Sequence, residues 1–174
     1  MIEKGLRGGI SVISNRPGKD NNPYMGSDYD EKKPTKYNTY LDANNLYGCA
    51  MIQPLPACKF EWLENFFFWW MESFENWRDK PCILEVDHNY PDHLHDLHND
   101  YPLAPERVMV NRVRKLIPNL NNKEKYVVHH KNLKLYESIG LRMAKIHRSI
   151  TFVEKPWLKS YIEKKHKTKN GSKK

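Results

Sequence analysis

Prolines punctuate the middle of this 174-residue chain at Pro54, Pro56, Pro91, Pro102 and Pro105, and its first 36 residues are crowded with Gly, Pro, Asn and Asp. Proline lacks a backbone N–H and pushes the residue before it out of the helical region, so regular elements must fit between these stops. Residues 1–36 read as loop or loosely held strand. Residues 37–42, YNTYLD, favour a strand ending on Asp42, and LYGCAMIQ a short helix that Pro54 and Pro56 halt. Residues 83–88 alternate as a strand does, and the prolines from Pro91 to Pro105 mark a long, stiff connection after them.

The second half reads differently. Residues 107–118 suit a basic helix or an extended arm, and YVVHH (126–130) a strand, which points His129 and His130 to opposite faces. Over 131–148 the apolar residues Leu133, Tyr136, Ile139, Met143 and Ile146 recur at helical intervals, with Gly140 weakening or breaking the helix. Thr151–Val153 reads as another short strand, and 159–174 as a Lys-rich helix that frays. Residues 60–78 hold nine Phe or Trp, with Trp62, Phe66, Trp69 and Trp70 near one face of a helix. Packing in a core or an interface is the role such rings fill more often than base stacking.

Charge divides the chain. Residues 1–106 carry a balance of −7 and residues 107–174 a balance of +15, giving the net +8. A basic half suggests phosphate contact, because Lys and Arg release counterions from nucleic acid on binding. Charge alone fits a solvated basic face equally well. Mean hydropathy is −0.83, polar for a compact domain. Three widely spaced cysteines, Cys49, Cys58 and Cys82, suggest neither a zinc site nor a disulfide framework. They read as free thiols in a reducing compartment. With no signal-peptide core and no apolar run of membrane length, an intracellular protein is expected. His93, His95 and His98, with Asp92 and Asp96, sit at intervals that do not share one helix face, so no metal site is expected there.

The run YLDANNLYG, residues 40–48, is the sharpest motif. A carboxylate at a strand end, then a tight turn and an aromatic ring, is one way to hold Mg²⁺ over a nucleotide. Alone, an Asp in a turn more often makes a turn or a cap. DANNLYG resembles the first palm motif of family B DNA polymerases, Asp-x-x-Ser-Leu-Tyr-Pro. YLDANNLYG followed by QPLP is especially similar to the protein-primed polymerases of Polinton/Maverick-type transposons and related viruses. RGGIS (7–11), NNPYM with DYD, LEVDHNYPDHLHDLHNDYPLAPE (84–106) and KLIPNLNNKEKYVVHHKNLKLYESIGL (115–141) extend the similarity, in order, over nearly the whole chain.

The resemblance implies an α+β fold: a partial polymerase palm with an inserted subdomain, incomplete alone. Residues 1–36 would be a lead-in with the Gly-Gly element, 37–106 the partial palm, and 107–174 a basic insertion-like region with a Lys-rich tail. Asp42 takes the place of a metal-binding, catalytic aspartate for Mg²⁺, with the carbonyl of Ala43 as a second ligand. Leu46 would line the triphosphate side of the nucleotide pocket, and Tyr47 would lie under the sugar and exclude a 2′-hydroxyl. Arg7, Gly8 and Gly9 would approach template phosphates. The partners implied are DNA template and primer, deoxynucleoside triphosphates and a terminal protein, in the nucleus if the element is eukaryotic. Asn45 stands where the wider pattern has Ser, and Gly48 where it has Pro. Within the 174 residues there is no Tyr-x-Asp-Thr-Asp motif and no Lys-x-x-x-Asn-Ser-x-Tyr-Gly motif, so the chain by itself is expected to be inactive. Two other readings stay open: a non-catalytic nucleic-acid-binding remnant using 107–174, and a protein-interaction module using the aromatic run 60–78.

Overall fold

The computed structural model describes residues 1–14, 18–43, 45–63 and 76–171. In chain order the helices are α1 (Ile2–Gly5), α2 (Leu46–Met51), α3 (His95–His98), α4 (His130–Ser138) and α5 (Lys159–Gly171). The strands are β1 (Leu55–Trp62), β2 (Cys82–Asn89), β3 (Glu106–Val110), β4 (Val113–Ile117), β5 (Lys123–His129) and β6 (Arg142–Lys155). Short 3₁₀ turns occur at Pro23–Asp28, Asn76–Arg78 and Asp92–Leu94. The fold is α+β: a curled four-stranded antiparallel sheet, a half-barrel, plus a small β-hairpin.

Strand order is β1-β6-β2-β5, with every neighbouring pair antiparallel. β6 holds the sheet together, pairing with β2 from Arg142 to Thr151 and with β1 from Ile150 to Lys155. Register shifts in all three ladders place bulges that bend and twist the strands. β2 lies second from one edge, and its residues alternate as period-2 patterning requires. Cys82, Leu84 and Val86 join Trp77, Tyr126, Val128, Leu133 and Ile146 in one core cluster. Burying a Val or Leu side chain of this kind contributes about 1.5–3 kcal/mol. The opposite face of β2 is charged: Glu85 is paired with Arg148 at 2.7 Å and Lys4 at 3.2 Å, and Asp87 with His147 at 2.8 Å. The two cations hold the Glu85 carboxyl below its usual range although burial opposes them.

β5 is an edge strand, and edges invite unwanted pairing. Here the N-terminal segment covers it. Lys4 donates to the Lys125 carbonyl (3.0 Å) and Arg7 to the Val127 carbonyl (2.8 Å).

Residues 107–118 form no helix; they are extended and lie mostly in the β3–β4 hairpin. Asn111 and Arg112 at its tip both have positive φ (50° and 64°), the signature of a type I′ turn matched to strand twist. The base of the hairpin is fastened by Lys123, whose side chain is fully buried. Its ammonium donates to Glu106 (3.0 Å), the Asn119 carbonyl (3.1 Å) and the Asn119 side chain.

The helix expected over 131–148 stops at Ser138, and 142–155 is strand. Gly140 makes the difference. Its φ is +107°, its N–H donates to Glu137 O (3.1 Å), and Leu141 N–H donates to Tyr136 O (3.0 Å). That is a Schellman C-cap, which turns the chain sharply out of the helix. A Cβ on Gly140 would lie 2.8 Å from Leu94 Cδ1. Gly140→Ala is therefore expected to destabilise by about 1–3 kcal/mol, mainly through backbone strain. A urea midpoint equal to wild type would refute this.

Two further expectations change. Residues 37–42 form no strand, and Tyr40 and Leu41 stand 92% and 86% exposed. A strand needs partners for its N–H and C=O groups, and no described strand runs beside this segment. In the aromatic stretch, Phe60 and Trp62 end strand β1 rather than start a helix, and Trp77 is completely buried. Residues 64–75, with Phe66, Trp69 and Trp70, lie outside the described residues. Among the described residues no helix is long and apolar enough to cross a membrane.

Candidate functional site

The motif residues sit on a short turn-and-helix. Asp42 and Ala43 are exposed and in no regular element. Among the described residues no hydrogen bond or ion pair engages the Asp42 carboxylate. Asn45 then adopts the left-handed conformation (φ 58°, ψ 43°), which Asn tolerates better than most residues. Its Oδ1 accepts from Gly48 N–H at 3.2 Å and its carbonyl accepts from Cys49 N–H at 2.9 Å, so Asn45 is the N-cap of α2. The helix carries Leu46 and Tyr47 outward, 64% and 86% exposed, and lies against α5.

This geometry accounts for the two departures from the wider palm motif together. A proline at 48 has no N–H to give Asn45. Any Cβ at 48 would also fall within 2.7 Å of Asn45 Cγ. Asn45 and Gly48 are thus a matched pair, and their hydrogen bond closes the turn that starts α2.

Arg7, Gly8 and Gly9 belong to a different part of the molecule. The Arg7 guanidinium stacks over the Tyr126 ring, 3.8 Å from its centroid, and donates to Val127 O and Gly5 O. Arg107 reaches back to the Leu6 carbonyl at 3.0 Å. Gly8 and Gly9 are exposed, and no described residue approaches within 4 Å of where their Cβ atoms would stand. Beside Arg7 lies a cleft of about 550 Å³ lined by Lys4, Arg107, Arg114 and Lys125 together with Glu106 and Glu124. The seven residues expected at the polymerase-like site therefore fall into two groups along the chain: Asp42, Ala43, Leu46 and Tyr47 at and before α2, which lies against α5, and Arg7, Gly8 and Gly9 in the N-terminal segment, where Arg7 is fastened to β5.

A third cluster went unseen in the sequence. His129 ends β5 and His130 starts α4, so the pair does not alternate across a strand as expected. The change from extended to helical backbone swings both rings to one side, with centroids 4.6 Å apart. Glu154, near the end of β6, places Oε1 3.4 Å from His129 Nε2 and 3.6 Å from His130 Nε2. Burial holds both imidazoles below their ordinary pKa, His129 at about 4, so at neutral pH they are uncharged. Among the described residues this is the group of His, Cys, Asp and Glu whose donor atoms converge closely enough for a metal ion. The histidines of α3 do not converge: His98 Nδ1 is 2.8 Å from the Tyr90 hydroxyl, and His95 lies 4.0 Å from Asp92. The signal in the sequence was the adjacent His pair at a strand–helix junction, and only the position of that junction made it meaningful.

No family model matches this chain, nor does any curated protein or solved structure.

Proposed function

We propose that this chain is a segment of a DNA-directed, protein-primed family B DNA polymerase, carrying one metal-binding aspartate and the sugar-sensing tyrosine of the nucleotide site. The observation that supports it is the Asn45–Gly48 turn. It presents an exposed phenol ring at Tyr47, and just before it the exposed Asp42 carboxylate has no partner among the described residues. The motif's chemistry calls for that presentation. On this reading residues 37–106 supply β1 and β2 as the palm's part of the sheet, and the basic insertion-like region 107–174 supplies the β5 and β6 strands that pair with them as well as most of the β3–β4 hairpin.

Mg²⁺ fits the donors present. The Asp42 carboxylate and the Ala43 carbonyl are hard oxygens on exposed backbone, and Mg²⁺ takes one or two carboxylates, with phosphates and water completing its shell. When bound, the ion neutralises charge on the triphosphate. Asp42 would orient the ion, Leu46 would flank the triphosphate, and Tyr47 would lie beneath the deoxyribose and exclude a 2′-hydroxyl by size. A template and primer, the latter DNA or a terminal protein, complete the assembly.

In the full-length enzyme, Tyr47→Val is expected to admit ribonucleotides, raising their incorporation relative to deoxynucleotides at least tenfold while Asp42 chemistry continues. Single-nucleotide extension with each sugar measures this, and unchanged discrimination would sink the assignment.

A second reading rests on a different observation. Arg107, Arg112, Arg114 and Lys115 are all exposed on one hairpin. A nucleic-acid-binding segment without chemistry would use them, and its affinity for duplex DNA would fall steeply with added salt. Replacing these four by alanine would then flatten the salt dependence by about three to four in slope.

A further inference from the structure

We propose that His129, His130 and Glu154 form a site for a borderline divalent metal ion of the zinc class, separate from the Asp42 motif. Three features carry it.

The first is spacing. Tetrahedral zinc, with bonds of about 2.0–2.1 Å, sets its ligand atoms about 3.3–3.4 Å apart. Glu154 Oε1 lies 3.4 Å and 3.6 Å from the two Nε2 atoms, and all three donors lie within 4.8 Å of one another. The second is His130 itself. Its side chain is 8% exposed, and neither ring nitrogen has a hydrogen-bond partner among the described residues. A buried imidazole without partners is costly, and a ligated ion is one way to satisfy it. The third is donor chemistry. Two imidazoles and one carboxylate select zinc-like ions over Mg²⁺ and Ca²⁺, which prefer oxygen alone. Three protein ligands leave a fourth position for water or an external ligand.

Two groups compete with the ion. Lys131 Nζ bridges both oxygens of Glu154 at 3.0 and 2.9 Å, from a half-exposed side chain. His129 Nδ1 accepts from Lys131 N–H at 3.3 Å as the N-cap of α4, which puts the proton of neutral His129 on Nε2. Binding displaces the ammonium from Oε1 and moves that proton, ending a long cap bond. Removing the lysine charge should therefore strengthen binding, whereas a purely structural Glu154–Lys131 pair predicts no metal affinity at all.

The test is titration of the metal-free full chain with Co²⁺, read by visible absorption. A tetrahedral band saturating at one equivalent and displaced by Zn²⁺ is expected. Glu154→Gln and His129→Asn should each weaken binding at least tenfold; Asn is a good N-cap and keeps the start of α4. Lys131→Met should tighten it severalfold. Circular dichroism and melting would verify that each variant folds, and His129→Asn serves if Glu154→Gln does not. Absence of the band would overturn the proposal. So would a band that both variants leave intact, because the ion would then sit elsewhere, for instance at the exposed Cys49 or Cys58.

Discussion

In the full-length enzyme, Asp42→Ala is expected to cut primer extension about a thousandfold or more. Losing the carboxylate that orients a catalytic ion removes several kcal/mol of transition-state stabilisation, and each 1.4 kcal/mol is a factor of ten. The folded chain should not notice. Asp42 is exposed, lies in no regular element and has no hydrogen-bond or ion-pair partner among the described residues. Surface substitutions of that kind usually change stability by no more than about 0.5 kcal/mol. The prediction is therefore a dissociation: activity lost, urea midpoint of this chain unchanged. Near-normal extension would end the polymerase assignment of Asp42. A large stability loss would give it a structural role that the geometry does not show.

Acidification from pH 7 to pH 4 is expected to cost about 3 kcal/mol of stability through His88 alone. The ring is 1% exposed, packed edge-on against Tyr126 and Tyr136 with centroids 6.1 Å away, and neither nitrogen has a hydrogen-bond partner among the described residues. Burial pushes its pKa from 6.5 to about 4; the Arg142 backbone pulls the other way without making a full hydrogen bond, and Lys123 and Asp87 act more weakly with opposite signs. Between these values the unfolded chain binds the proton and the folded chain does not. Stability therefore rises with pH across that window and falls as pH drops from 6.5 to 4. A displacement of 2.5 units corresponds to about 3 kcal/mol. His129, also held at about 4, acts in the same direction. The depressed carboxyls of Glu85 and Glu154 begin to lose their stabilising charge only below about 4.5, and Asp87 below about 3.8, so they do not account for the loss between pH 6.5 and 4.5. Urea unfolding at pH 7, 5.5 and 4.5 measures the slope. His88→Leu should remove about half or more of it, and a variant with the wild-type slope would place the acid sensitivity elsewhere.

Elements set by local chemistry could be read in advance. The helix of Leu46–Met51 ends before Pro54 because proline cannot continue it. The alternating residues of β2 became a strand with one core face and one charged face. Gly140 was suspect inside a helical pattern, and it is where the helix ends. The same pattern misled just beyond it. Met143 and Ile146 continue the helical spacing of Leu133 and Tyr136, yet both sit in β6. Once Gly140 turns the chain, pairing with β2 satisfies more backbone than another helical turn would. YNTYLD has strand propensity and no described strand beside it, and it stays exposed.

The candidate sites divide along the same line. The sequence alone determined which donors exist: the carboxylate of Asp42, the Asn45 and Gly48 that depart from the wider motif, the phenol of Tyr47, and a basic second half. It determined them because capping, left-handed turns and charge are properties of a few neighbouring residues. Only the tertiary structure decided that Arg7 lies over Tyr126 at a covered sheet edge. It also brought the donor atoms of His129 and His130 and of Glu154, 24 to 25 residues further along the chain, to within 4.8 Å of one another. Those distances depend on where β5 ends and how β6 crosses the sheet. Both are set by the packing of many distant residues at once, which no short stretch of sequence contains.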